Sequence, residues 1–265
     1  MVAIGQTLVL LSGGGGIDLS VASVMATSAV IASKMTHGQN ALFPMIAPVC
    51  LLFGILVGLI NGLLITKRRV PPVLATLGTM IFVQGLRYVY TGGIASGDIP
   101  PFLRVLGSGT IGPIPVSILS LAILLAVAAL MLTKTPLGRQ IYAVGGNRET
   151  ARLSGYHIGL IIPIVYMMSG LTAAIGGIYL AGWMGYVDNM VGAGYEIDSI
   201  AVVVMGGTSF EGGRGGVLGS IAGVFIVIIL YNLVLLLHLP VDFQLIIKGV
   251  VIIAAAAFYV RRAQR

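Results

Sequence analysis

Six apolar runs in this chain are each long enough to cross a lipid bilayer, and this fixes the class of fold before any motif is considered. They are Ala41–Ile65, Val73–Thr91, Val116–Thr133, Gly159–Ala181, Val217–Leu237 and Phe243–Val260. A hydrocarbon core of about 30 Å is spanned by roughly 20 apolar residues in a helix, or by somewhat more with tilt. Only 9% of the 265 residues are charged, and the mean hydropathy is +1.05. Soluble domains carry about 25% charge, so the expected fold is all-α: a polytopic membrane helical bundle surrounded by lipid, with residues 1–265 forming a single transmembrane domain. The net charge of +7 and pI near 9.8 reflect the basic bias of cytoplasmic loops rather than nucleic-acid binding.

Two shorter apolar pieces break this pattern. Val2–Ser12 covers roughly half a bilayer core at about 1.5 Å per residue. It stops at Gly13-Gly14-Gly15-Gly16 and restarts after Ile17-Asp18-Leu19-Ser20 as Val21–Ser33. Ser199–Met205 likewise runs into the glycine-rich Gly206–Gly216 before Val217–Leu237. Short piece, glycine break and longer run therefore occur at both ends, followed in each case by a further span. This suggests two broken-helix, glycine-rich segments related by a parallel internal repeat. Broken helices in corresponding positions mark a transport pathway in membrane carriers.

Placing Lys67, Arg68, Arg69, Lys134, Arg139, Arg148, Arg152, Arg261, Arg262 and Arg265 on one side collects ten of the fifteen basic residues. The opposite side then receives Asp98, Asp188, Glu196, Asp198 and Asp242. Basic loops stay in the cytoplasm, so the C-terminus is expected there. So is segment 134–158, which holds the longest clearly polar stretch, Thr135–Gly155, with Gly145-Gly146-Asn147 suited to a tight turn or a helix boundary.

No G-x-x-x-x-G-K-[ST], H-E-x-x-H or G-x-S-x-G pattern occurs, so neither ATP binding by a P-loop nor hydrolase chemistry is expected of this chain. One cysteine, Cys50, and three dispersed histidines (His37, His157, His238) give no metal-ligand spacing; no metal and no cofactor is expected. The polar residues suited to a pathway are Asp18, Ser20, Asn61, Gln84, Tyr88, Thr208 and Ser209. For Asp18 the readings are a helix cap, made by it or by Ser20 on the helix near Val21, and a carboxylate facing the pathway. Arg87 and Lys248 lie within spans near the outer end and are expected to snorkel. Gly54, Gly58 and Gly62, at four-residue spacing, point to close helix packing.

GGIDLSVASVMA (Gly15–Ala26), INGLLITKRRVPPVLATLGTM (Ile60–Met80), GRQIYAVGGNRETARLSG (Gly138–Gly155) and VVMGGTSFEGGRGGVLGSIAG (Val203–Gly223) resemble, in order and spacing, the permease subunits of bacterial ABC sugar importers. The branch resembled handles ribose, xylose, galactose or autoinducer-2. The resemblance implies a multi-pass protein of the bacterial inner membrane, paired with a second permease copy or paralogue. It also implies two cytoplasmic ATPase subunits and a periplasmic sugar-binding protein. It makes Gly138, Arg139, Tyr142, Gly145, Gly146, Asn147, Glu149, Arg152 and Gly155 the ATPase-coupling set, and it makes Asp188, Glu196 and Asp198 candidates for binding-protein docking. Such permeases carry about one and a half further helices ahead of the segment matching Gly15. Two other readings stay open at this level: an ion-coupled secondary transporter, and a non-transporting remnant.

Overall fold

The computed structural model describes residues 1–94 and 97–238, together with 240, 242–247, 249–250 and 253. The expected last span, Phe243–Val260, lies largely outside the described residues, and Lys248 and the basic tail lie wholly outside them.

Eleven helices are defined among the described residues. In chain order they are α1 (Val2–Leu11), α2 (Val21–Lys34), α3 (Phe43–Lys67), α4 (Pro72–Thr91), α5 (Pro101–Ser108), α6 (Val116–Lys134), α7 (Pro136–Gly146), α8 (Arg148–Leu153), α9 (Ile158–Met184), α10 (Tyr195–Met205) and α11 (Val217–Leu236). Five of them, α3, α4, α6, α9 and α11, have the length and apolar character to cross a membrane. Prolines and glycines set several boundaries. Pro72, Pro101 and Pro136 open α4, α5 and α7, where a fixed φ suits the first turn and the missing N–H has no intrahelical partner to lose. Gly92 and Gly185 close α4 and α9 in the left-handed conformation (φ 65° and 73°).

Helix α9 is the hub. It packs against α1, α2, α3 and α5, and 56% of its apolar window is buried, against 11% for α6. The most extensive crossing is α3 on α9: a side chain at Gly54 would land on Gly170, at Gly58 on the Tyr166 carbonyl, and at Gly62 on Pro163. The four-residue glycine spacing therefore serves helix packing. Conversely, α6 turns Ile118, Ile123, Val127 and Leu130 outward, as lipid-facing or partner-facing residues do.

The short pieces follow the same order at both ends, although α10 packs against α11 whereas α1 packs against α9 and α10 rather than α2. Helix α1, with 10 residues, enters a break and emerges as α2; α10, with 11, enters a break and emerges as α11. The units touch each other, with the Thr7 and Ser220 hydroxyls 2.7 Å apart. The stretch Gly92–Pro115, which looks like an irregular loop from its glycines and prolines, contains α5 and a two-stranded hairpin, Thr110–Ile111 (β1) with Ile114–Pro115 (β2). Helix α5 holds because it packs against α9, with Leu103 fully buried and Gly107 against the Gly182–Trp183 backbone.

Candidate functional site

Three places gather the polar residues singled out above. The first is the buried cluster at the start of α2. Asp18 is wholly buried; its Oδ1 accepts from the Ser20 N–H (3.0 Å) and hydroxyl (2.6 Å), and its Oδ2 from the Ser169 hydroxyl on α9 (2.7 Å). Asn61 Nδ2 on α3 donates to Ser20 Oγ at 2.9 Å. The backbone just ahead is fixed as well, because the Ile17 carbonyl accepts from Thr76 on α4 and Tyr166 on α9. Of the readings open for Asp18 and Ser20, a cap by the Ser20 side chain is overturned: its hydroxyl donates to Asp18 and receives no N–H of α2. Asp18 takes the N–H of Ser20, one residue ahead of the helix, and spends its other oxygen on α9. A buried carboxylate is tolerable when its lone pairs are met this way.

Asp18, Ser20 and Asn61 are thus brought together, while the other pathway candidates lie elsewhere. Gln84 is half-buried further along α4, and the Tyr88 hydroxyl is 3.8 Å from Met190 Sδ. Thr208 and Ser209 are buried in the second break, where Ser209 N–H donates to the Arg214 carbonyl and Ser209 Oγ accepts from Glu211 N–H. Several buried polar groups in or near the broken units lack partners among the described residues, including both amide atoms of Gln6, Asn61 Oδ1, Thr208 Oγ1 and the hydroxyls of Thr27, Ser28 and Ser33 on α2. An orphaned buried polar atom costs about 1–3 kcal/mol, so these are positions where water or a hydroxylated solute gains a bond.

The second place is the basic segment, folded as two short helices rather than a loop. Thr135 opens α7, its hydroxyl accepting from Gly138 N–H (3.2 Å) and donating to the Met131 carbonyl (2.6 Å). Asn147 closes α7 and opens α8 by accepting from Thr150 N–H at 2.9 Å, so the helix-boundary reading of Gly145-Gly146-Asn147 holds over the tight turn. Gly138 is buried with the Leu132 carbonyl where a side chain would be, and Gly155 follows α8 at φ 83°. Arg139 faces solvent, as do Glu149 and Arg152, which pair at 2.6 Å on the open face of α8 beside Leu153, 78% exposed. Arg152, by its hydrogen bonds and then its charge, holds the Glu149 carboxyl below the ordinary carboxylate range. That ionised pair persists as pH falls until the lowered value is passed.

The inner face of the same segment meets both breaks. Arg148 Nη2 donates to the Gly13 carbonyl at 3.1 Å, with the guanidinium lying where a side chain on Gly14 would sit. The Tyr142 hydroxyl donates to the Gly215 carbonyl at 2.8 Å, and partial burial raises its pKa and keeps it protonated. Between them, Gly213 N–H donates to the Leu11 carbonyl at 3.0 Å, joining the second break to the end of α1 just ahead of the first. Gly13 needs its positive φ of 71°, and a side chain on Gly145 would strike Leu11 and Gly213.

The third place is the end of the bundle opposite segment 134–158. Arg87 does not snorkel: it is 4% exposed and donates to the Asn189 carbonyl at 2.9 Å, while Asn189 Nδ2 donates to Thr91 Oγ1 at 3.0 Å. Sequence patterning misses this clasp because Arg87's main acceptor is a backbone carbonyl, which no residue type advertises. Ser169 is missed for a similar reason, as a single hydroxyl in an apolar span. The three acids are all half-buried. Asp188 accepts from Met190 N–H (2.7 Å), and Asp198 accepts from the Tyr231 hydroxyl on α11 (2.7 Å); Glu196 lies in the first turn of α10. A largely apolar cavity of ≈ 500 Å³ beside them takes in Trp183, Tyr195 and Asp198.

Comparison with known proteins gives this arrangement a family. The ribose import permease of Haemophilus influenzae is 39% identical to this chain over 96% of it and 79% of the relative's own length. The galactose/methyl galactoside import permease of Escherichia coli is 36% identical over 91% and 77%. The autoinducer 2 import system permease of Escherichia coli is 33% identical over 97% and 75%. No solved structure matches. The family described as "Branched-chain amino acid transport system / permease component" matches residues 1–256, and the chain, a multi-pass membrane protein, belongs to that family of transport permeases.

Proposed function

We propose that this chain is the membrane permease of an ATP-driven importer that moves a sugar or sugar-like solute into the cytoplasm, with residues 1–265 as one permease domain and 134–158 as its coupling segment. The observation that carries the reading is similarity at 33–39% identity, along nearly the whole chain, to relatives named as ribose, galactose and autoinducer-2 import permeases. The partners are cytoplasmic ABC ATPases, a second permease and a periplasmic sugar-binding protein. ATP hydrolysis belongs to the ATPases.

The outer face of α7–α8 suits docking: Arg139, the Glu149–Arg152 pair and Leu153 are exposed together on a short, capped element. The orphaned polar atoms of Gln6, Asn61 and Thr208, with the Asp18–Ser20–Ser169 cluster, supply the hydrogen-bonding groups that a hydroxylated solute exchanges for water on its way through. Asp188, Glu196 and Asp198 lie at the opposite end from segment 134–158 and would meet the binding protein; Gln84 and Tyr88 would border the same outer half of the path. Closure of the ATPases displaces the coupling segment and switches the pathway between outward-open and inward-open states.

The test is ATPase stimulation by loaded binding protein in membranes carrying Arg139→Glu together with Glu149→Lys. Reversing both charges on the docking face is expected to lower stimulation by about tenfold or more, as loss of interface charge pairs does. Normal stimulation with normal assembly removes the coupling role from this segment.

A further inference from the structure

Segment 134–158 reaches both glycine breaks by side chains that its docking face does not use. Arg148 and Glu149 are neighbours on α8 with opposite assignments. Glu149 pairs outward with Arg152, whereas Arg148 turns inward to the Gly13 carbonyl. On α7, Tyr142 turns inward to the Gly215 carbonyl. The acceptors belong to different broken units, the α1–α2 unit for Arg148 and the α10–α11 unit for Tyr142. A third bond, Gly213 N–H to the Leu11 carbonyl, ties the second break to the last residue of α1, where the first break begins. All three partnerships join segments far apart in sequence, so none of them is local helix chemistry.

The packing around these bonds leaves no slack. A side chain on Gly145 would strike the Leu11 carbonyl, one on Gly212 would strike Gly13, and one on Gly213 would strike Gly146. Backbone in direct contact moves as a unit. The acceptors, by contrast, lie in turns with no helical ladder to hold them. Outside a helical ladder, a change of backbone dihedral breaks fewer hydrogen bonds than within α1, α2, α10 or α11. A capped two-helix element bonded to two turns in this way has the form of a transmission.

We propose that Arg148 and Tyr142 are positioning residues that carry displacement of the coupling segment directly to the two glycine breaks, so that both broken units change conformation together. Each residue serves one break: Arg148 acts on Gly13 and Tyr142 on Gly215. The Gly213–Leu11 bond keeps the two responses in step. This rests on the importer reading above but adds a route distinct from rigid levering of α6 and α9, the two helices continuous with the segment.

The experiment is hydrogen exchange on the assembled complex, with the ATPases either nucleotide-free or trapped by vanadate, on the chain carrying Arg148→Lys or Tyr142→Phe. Lysine keeps the charge but not the forked guanidinium, and phenylalanine removes one hydroxyl. In the unaltered complex, trapping is expected to change exchange at residues 12–16 and 206–216 by about tenfold. Arg148→Lys should abolish the response at 12–16 first, and Tyr142→Phe the response at 206–216 first. Breaks that respond fully in both variants, or that never respond in the unaltered complex, overturn the proposal. A variant that also loses protection across α3 and α9 makes these bonds structural and overturns it too. Failure of the unaltered chain to assemble with any ATPase is a different result, because it removes the importer reading itself and the proposal with it.

Discussion

Gly58 and Gly78 are both helical glycines of this chain, yet they serve different ends. At Gly58 a methyl group would be driven into the carbonyl of Tyr166 at the crossing of α3 and α9; at Gly78 nothing lies within 4 Å. Backbone cannot move aside as the end of a flexible side chain can, so Gly58→Ala is expected to cost about 1–3 kcal/mol by overpacking. Gly78→Ala should be neutral or stabilising by up to about 1 kcal/mol through helix propensity. Thermal unfolding of the two variants in one detergent reads the difference directly. Equal midpoints would mean that the α3–α9 contact is looser than its geometry. Asp18 makes the complementary point for a polar residue: its role comes from what it can accept, three donors from two helices' worth of chain, and not from its charge alone.

At the scale of elements, α8 is the most conditional piece of structure. A helix of 6 residues is far below the length that propagates by itself in water, so its cap carries much of its stability. Asn147→Ala removes the acceptor for Thr150 N–H, at a cost of about 1 kcal/mol. Amides of residues 150–153 should then exchange several-fold faster while those of α7, opened by Thr135, keep their protection. Unchanged exchange in 150–153 would show that tertiary contact at Ala151, 97% buried by its 3% exposure, is enough on its own. The five described spans were legible to within a few residues because hydropathy and basic flanks encode them. Helices α5, α7 and α8 were not, since they depend on caps such as Thr135 and on lying against α9, and neither produces a long apolar period. Arg87 was misread for a related reason: snorkelling is the default for a cation without a carboxylate in reach, and the Asn189 carbonyl that holds it belongs to a loop with no sequence signature. The junction at Gly13, Gly145 and Gly213 was visible only as three glycine-rich stretches. Their mutual contact is a property of the fold.

For the whole molecule, the arrangement requires one sidedness. Basic residues Lys67, Arg68 and Arg69 follow α3, and Lys134 to Arg152 link α6 to α9. Both groups therefore lie at the same end of the bundle, with the two breaks reaching the second group through Arg148 and Tyr142. Tyr186 follows the far end of α9, one span away. The importer reading proposed above, with the inside-positive rule, predicts that the first end faces the cytoplasm. A labelling experiment can test this with little background, because the chain's one cysteine, Cys50, is wholly buried. Leu153→Cys, at a position 78% exposed, should react with a membrane-impermeant maleimide in inverted vesicles and not in intact spheroplasts; Tyr186→Cys, at a position 56% exposed, should do the reverse. The contrast is expected to be about tenfold or greater in each case, since a bilayer excludes a charged reagent almost completely. If Leu153→Cys labels from outside, the coupling segment faces the wrong compartment for a cytoplasmic ATPase, and the mechanism built on α7 and α8 fails whatever the family. If both positions label from the same side, α9 does not cross, and the bundle itself has to be redrawn around its central helix.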